Sequence, residues 1–284
     1  MEFMGATERF QDSIYQLNGS GSCDHETTVE MDTAHIYKGN LVLVNRDYPV
    51  RDNGLPQLMT VNSQRLHAWD DAICLERNCL MQLAALMKAS HSLNDITVVS
   101  GYRSVEEQQD IYQSSLLENG PEYTASYVAL PNHSEHHLGL AVDVGQRGQD
   151  LDFIAPSFPD DGVFHTFKQL AAKFGFIQRY KETKASITNI ACEPWHYRYV
   201  GAPHAELMEQ HDFCLEEYSR YLERFTYSGK QLVLNKDDQI IRIYYVPAQD
   251  GLAVTVPIVR CERFELSGNN RNGLIVTSYN RRTS

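Results

Sequence analysis

The segment Ser134-Glu135-His136-His137-Leu138-Gly139-Leu140-Ala141-Val142-Asp143 sets His136 and Asp143 seven apart across what reads as a loop-to-strand junction. A loop histidine and a strand-end carboxylate can converge on one point while the apolar residues between them anchor the strand. Hydrolytic zinc sites take three protein ligands from His and carboxylate and keep a fourth position for water. The third ligand must come from elsewhere, and Glu193-Pro194-Trp195-His196 offers His196. In a regular strand, residues three apart point to opposite faces. Pro194, however, cannot donate to a ladder and biases Glu193 toward extended backbone. A turn there would aim Glu193 and His196 into one cleft, His196 on the metal and Glu193 exchanging a proton with a water that the metal acidifies. Arg103, in the Ser100-Gly101-Tyr102-Arg103-Ser104 turn, is a cation that would face a carbonyl oxygen. One well-placed donor of that kind stabilises a developing oxyanion by roughly 3–4 kcal/mol.

Spacing alone leaves other readings open. His133 and His137 compete with His136 as ligands, and Asp143 could cap a turn. Trp195, Tyr197 and Tyr199 could fill a core, and Arg103 could pair with a nearby carboxylate.

The elements that must position these residues follow from periodicity. Residues 1 to about 35 are polar, with Asn18-Gly19-Ser20-Gly21-Ser22, and read as a flexible leader. Leu41 to Asn45 reads as an opening strand or an extended segment packed on the main domain. Leu66, Trp69, Ile73, Leu80, Leu83, Leu86 and Met87 recur at three and four, which predicts one long helix from Ser63 to His91. Ile96 to Val99 is a buried-type strand. Ser104, with Glu107 three residues on, caps a helix to about Glu118 that Asn119-Gly120-Pro121 stops. A polar loop then leads into a strand over Leu138 to Val144, followed by a helix over 162–175 and a strand from Phe176 to Tyr180. Ala191 to Gly201 reads as a turn and an aromatic strand. Pro203 opens a helix, and another covers Leu215 to Phe225. Beyond about Tyr227 only short β-rich runs remain, divided by polar turns. The predicted organisation is a leader over 1–37, a main domain over 38–226 and a small β-rich domain over 227–284.

The chain has 284 residues, 42% of them hydrophobic, enough for a packed core. Its 25 Lys and Arg against 37 Asp and Glu give a net charge of −12, which argues against nucleic acid as a partner. Six scattered cysteines without a CxxC pair make no disulfide framework, and no run approaches the roughly 18 apolar residues of a membrane span. Neither a signal peptide nor an anchor is visible, and Met4 suggests a revised start. The polar leader reads as a stalk after a lost anchor, which points to the cell envelope, with the cytoplasm as the alternative.

Taken together, Ser100 to Ser104 with Gln108, Ser134 to Asp143 and Glu193 to His196 form the pattern SGYRSxxxQ, SxHxxGxAxD and ExWH. This resembles the zinc D-Ala-D-Ala metallopeptidases that include VanX, VanY and VanXY of vancomycin resistance and the bacterial L,D-carboxypeptidases. The similarity spans roughly residues 38–225 and looks closest to the VanY and VanXY branch. It implies an α+β fold, a small antiparallel sheet flanked by helices with a zinc cleft; the small C-terminal all-β extension is read from its strand runs and lies outside the resemblance. It implies one Zn2+ held by His136, Asp143 and His196, Glu193 as general base and acid, and Arg103 polarising the scissile carbonyl. Ser134 would bind the substrate's terminal carboxylate, with Gln108 helping. His137 would be a bystander or a group behind the ligands. The implied partners are peptidoglycan stem peptides or D-Ala-D-Ala. The expected reaction is removal of a terminal D-Ala, with D,D-dipeptidase activity possible alongside. The alternatives are L,D-carboxypeptidase action on tetrapeptide stems and a zinc-bearing wall-binding module without catalysis.

Overall fold

Strand signals and helix signals alternate along the first four fifths of the chain, and strand signals alone follow. The computed structural model describes residues 20–23, 25–51, 56–148, 152–248 and 253–282. Residues 40–221 form one compact unit, and residues 1–39 with 222–284 form a second.

The 40–221 unit is built on a four-stranded antiparallel sheet in the order Ile96–Ser100, Ala141–Gln146, Glu193–Tyr199 and Phe176–Tyr180. Val98, Val142, Val144, Phe176, Trp195 and Tyr197 pack into one apolar core with the helices Arg77–Ala89 and Gly162–Ala171. In the first of these helices Cys79, Leu80, Leu83, Leu86 and Met87 are buried, the one-sided stripe of a surface helix. Its N-terminus is held by the Glu76 carboxylate, which accepts from the backbone of Asn78 and Cys79. The expected 63–91 helix is therefore half its predicted length. Its first half is a 3₁₀ turn at Val61–Gln64 and a short strand, Cys74–Glu76, paired with Leu58–Thr60. Leu66 is buried there, but in non-helical chain, so a three-and-four spacing arose without a helix.

Other elements lie where periodicity places them. Ser104 and Glu107 form a reciprocal capping box that starts the Val105–Glu118 helix. Asn119-Gly120-Pro121 does end it, and a second helix, Gly120–Tyr127, begins at once, with Pro121 in its first turn. Leu41 to Val44 is buried chain outside any named strand, and the buried Arg198 guanidinium donates to the carbonyls of Asn40 and Val42.

The second unit carries a five-stranded antiparallel sheet in the order Ser20–Cys23, Cys261–Gly268, Gly273–Arg281, Gln239–Pro247 and Leu232–Lys236. A strand pair, Ala253–Ile258 with Thr27–Asp32, completes it, and Met31, Val256, Phe264, Leu274 and Val276 share its core. The stretch read as a leader thus contributes a strand and a 3₁₀ turn over Thr27–Tyr37. The alternation Val29 and Met31 inward, Thr28 and Glu30 outward is a strand pattern too short to stand out in polar sequence. Residues 1–19 lie outside the described residues. No helix among the described residues is long and apolar enough to cross a membrane.

Candidate metal centre

The sheet register brings two of the expected ligands together. Asp143 and His196 are direct partners on adjacent antiparallel strands, so their side chains leave the same face. His196 Nδ1 lies 2.8 Å from Asp143 Oδ1. The third comes from the 3₁₀ turn Glu135–Leu138, which Ser134 caps by accepting from the His136 backbone. Gly139 closes that turn at φ 68°, a left-handed conformation that favours glycine. A Cβ there would also press on the Glu76 backbone and Leu58, each 3.0 Å away. Gly101 is small for a different reason, since a Cβ would sit 2.3 Å from the Cys74 carbonyl. Its own carbonyl accepts from His136 Nδ1 at 2.6 Å, which leaves His136 Nε2 bare and 3.2 Å from Asp143 Oδ2. One ligand atom from each of His136, Asp143 and His196 lies within 4.8 Å of the others, and all three residues are buried. Two imidazoles and a carboxylate converging from three separate segments are a donor set that fits zinc.

Glu193 and His196 do share the cleft. Where Gln178 pairs with Tyr197, Tyr180 pairs with Glu193, so two extra residues bulge from the Glu193–Tyr199 strand around Pro194. The bulge breaks the two-residue alternation, and Glu193 Oε2 comes within 3.9 Å of His196 Nδ1. Burial drives the Glu193 carboxyl upward, and against the opposing pull of His196 the negative charges of Asp143 and Glu135 help carry it to about 8. Burial depresses His196, but the Asp143 contact outweighs it and raises the imidazole to about 10. Asp143 itself, despite burial, is held well below the usual carboxylate range by His136 and His196.

Arg103 reaches the same cluster, its NH2 4.0 Å from Asp143 Oδ2. Its guanidinium is fixed by NH1 donating to Gln108 Oε1 at 2.7 Å and NH2 donating to Ser100 Oγ at 2.9 Å. Ser100 pairs with Asp143 in the sheet, so Ser100, Asp143 and His196 form one row across three strands. Gln108 is buried, and its amide nitrogen donates to the Ala129 carbonyl at 2.7 Å. That amide braces Arg103 through its oxygen, and its nitrogen, on the wall of the same cavity, keeps a second N–H beyond the one given to Ala129. His137 is tied to backbone, its Nδ1 donating to the Arg103 carbonyl and its Nε2 accepting from Asn132. His133 Nδ1 donates to the Asn45 carbonyl. Trp195, Tyr197 and Tyr199 are core residues.

A cavity of about 290 Å³ opens over these groups. Arg103, Ser134 and Glu193 are among its polar lining residues, and Ile111, Val128 and Ile190 among its apolar ones. Sequence reasoning passed over Glu135 and Arg179. Glu135 is buried beside His136, and Arg179 Nε donates to its Oε1 at 2.8 Å while Arg198 NH1 stands 2.9 Å from the same oxygen. Arg179 also forks onto both oxygens of Glu216, at 3.0 and 2.7 Å. Burial raises Glu135, but the two arginines hold it well below the usual carboxylate range. The one available signal was a carboxylate at the second position of a histidine-rich turn.

A family model described as VanY, D-alanyl-D-alanine carboxypeptidase, matches residues 72–202. The bifunctional D-Ala-D-Ala dipeptidase and D-Ala-D-Ala carboxypeptidase VanXYC of Enterococcus gallinarum is 40% identical over 183 residues, 64% of this chain and 94% of that protein. This chain belongs to the VanY family. A D-alanyl-D-alanine carboxypeptidase of Enterococcus faecium is 34% identical over 272 residues, 93% of this chain and 82% of its own length. Among solved structures, the vancomycin-resistance D,D-dipeptidase VanXYg in complex with a D-Ala-D-Ala phosphinate analog matches at TM-score 0.84 and 41% identity, over 89% of this chain and 99% of that one. A VanY D,D-pentapeptidase variant in complex with Zn(II) matches at TM-score 0.53 and 31% identity, over 63% of this chain and 98% of its own. The VanY-family likeness therefore extends past residue 225, where the motifs alone ended it, into the β-rich unit.

Proposed function

We propose that this chain is a zinc-dependent D,D-carboxypeptidase that removes the terminal D-alanine from peptidoglycan stems ending in D-Ala-D-Ala, and that it also splits the free dipeptide. The observation that carries this is the convergence of His136, Asp143 and His196 within 4.8 Å, with the Glu193 carboxylate 3.9 Å from His196. Support for the dipeptide comes from the bifunctional VanXYC relative and the VanXYg neighbour. The cell envelope is the proposed place of action, on the strength of that substrate class.

In this reading His136 Nε2, an Asp143 oxygen and His196 Nδ1 hold one zinc ion per chain. Zinc, when bound, acidifies water and polarises a carbonyl. Glu193, as the carboxylate, takes a proton from the attacking water and returns it to the departing D-alanine nitrogen. Arg103 faces the carbonyl oxygen of the scissile bond, and Gln108 and Ser100 keep its fork from turning away. Ser134 lies on the cavity wall, where its hydroxyl would meet the substrate's terminal carboxylate. Ile111, Val128 and Ile190 would receive the D-alanine methyl groups.

The test is a panel of substrates given to the zinc-loaded native chain: D-Ala-D-Ala, a pentapeptide stem and a tetrapeptide stem. Release of D-alanine from the first two and not the third is the expected result. Release from the tetrapeptide alone would make it an L,D-carboxypeptidase, and zinc uptake with no release from any would make it a binding module.

A further inference from the structure

His196 has two ring nitrogens and only one can meet a metal ion. Nδ1 faces Asp143. Nε2 is buried without a hydrogen-bond partner, and the atom it faces is Glu135 Oε2, 3.5 Å away and equally unpartnered. The other oxygen of Glu135 is engaged by Arg179 and Arg198. A carboxylate flanked by two guanidinium groups is an acceptor only. An imidazole that binds metal through Nδ1 must carry its proton on Nε2, and the partner of that proton fixes both tautomer and ring plane.

We infer that Glu135 is a positioning residue for the metal centre: its Oε2 accepts the His196 Nε2 proton and so holds Nδ1 bare and aimed at the ion. Glu135 and His136 occupy consecutive positions of one 3₁₀ turn, so the turn that delivers one ligand braces another from a different strand. The brace is itself anchored. Arg179, fully buried, spans from Glu135 to Glu216, and Asn45 donates to Glu216 at 3.1 Å. The Tyr180 ring lies 5.0 Å from the His196 ring and limits rotation on that side.

The inference rests on the zinc reading above, and its test separates the two. Zinc affinity is measured by chelator competition for the native chain and for the His196→Ala, Glu135→Asp and Glu216→Gln variants, with circular dichroism as the check on folding. Glu135→Asp keeps the charge between the arginines but draws the oxygen back by one methylene. It is expected to weaken zinc binding about 10- to 100-fold, the range for removing such a partner. Glu216→Gln, which disturbs the same buried network one step further out, is expected to lower thermal stability and change zinc affinity less than about threefold, so destabilisation alone does not mimic the effect. Nitrogen NMR of the native zinc-loaded chain gives a readout that needs no variant. The expected signature is a protonated His196 Nε2 with an unprotonated Nδ1. A His196 protonated on Nδ1, or a folded Glu135→Asp chain that binds zinc as tightly as native, overturns the inference. A native chain that takes up no zinc, or that loses none of its affinity in His196→Ala, overturns the reading beneath it.

Discussion

The two units bury different kinds of residue. Among the described residues, the 40–221 unit buries Glu76, Glu135, Asp143, Glu193, Glu216, Arg179, Arg198 and four histidines. In the other unit the buried polar side chains are Ser267, Asn269, Asn270, Thr277 and Ser278, with no carboxylate, histidine or basic group. Removing a charge from water is costly unless it is paired. One unit therefore satisfies its interior cheaply, with hydroxyls on its strands and amides in the turn between two of them. The other accepts the cost, and within it the charges fall into two sets. Glu135, Arg179, Arg198 and Glu216 balance one another, two positive against two negative. Asp143 and Glu193 face Arg103 and two histidines, a set whose balance depends on protons or on a cation. Chemistry is expected where charge is buried and left adjustable.

The largest effect expected from that contrast comes from the metal ligands. Asp143→Ala, or dialysis of the native chain against a strong chelator, is expected to abolish D-alanine release, with returned zinc restoring the dialysed chain but not the variant. Assay of both with D-Ala-D-Ala checks this. Next in size is Arg103→Ala, expected to lower kcat about 10²- to 10³-fold, the usual consequence of losing one oxyanion donor. Steady-state kinetics would show it, and an unchanged kcat would reduce Arg103 to a structural partner of Asp143.

A smaller effect follows from proton competition. His196 is raised to about 10, so near neutral pH zinc must displace a proton from it. Protons compete less as pH rises, so zinc affinity is expected to increase about tenfold per pH unit between pH 6 and 8. Competition titrations at three pH values would measure the slope. The smallest effect on the metal centre is expected from the other unit. Leu274→Ala, at a fully packed position, should lower stability by roughly 2–5 kcal/mol yet leave zinc affinity as it was. A change in zinc affinity there would break the contrast between the units.

Residue type and spacing narrowed the candidates, and the joint pattern of three motifs singled out His136, Asp143, His196, Glu193 and Arg103, all of which the structure brings to one cavity. Local signals that rest on neighbours in sequence, such as the Ser104–Glu107 capping box and the Phe176–Tyr180 strand, were equally legible. Long-range register was not. That Asp143 pairs with His196 depends on a partner strand that no local spacing reveals, whereas the turn of Glu193 into the cleft was announced by Pro194 and takes the form of a two-residue bulge. The Thr27–Asp32 strand is a strand because Ala253–Ile258 lies beside it. Gln108 shows the same limit at one side chain. Its place in the motif was visible, but its engagement with Arg103 and Ala129 is a matter of packing.

The most direct test of the account is to measure zinc content and D-alanine release on the same preparations of native chain and Glu193→Gln. The account predicts one zinc per chain in both and a loss of release of about 10²- to 10⁴-fold in the variant. Undiminished release, or a loss of zinc in step with the loss of activity, would contradict it.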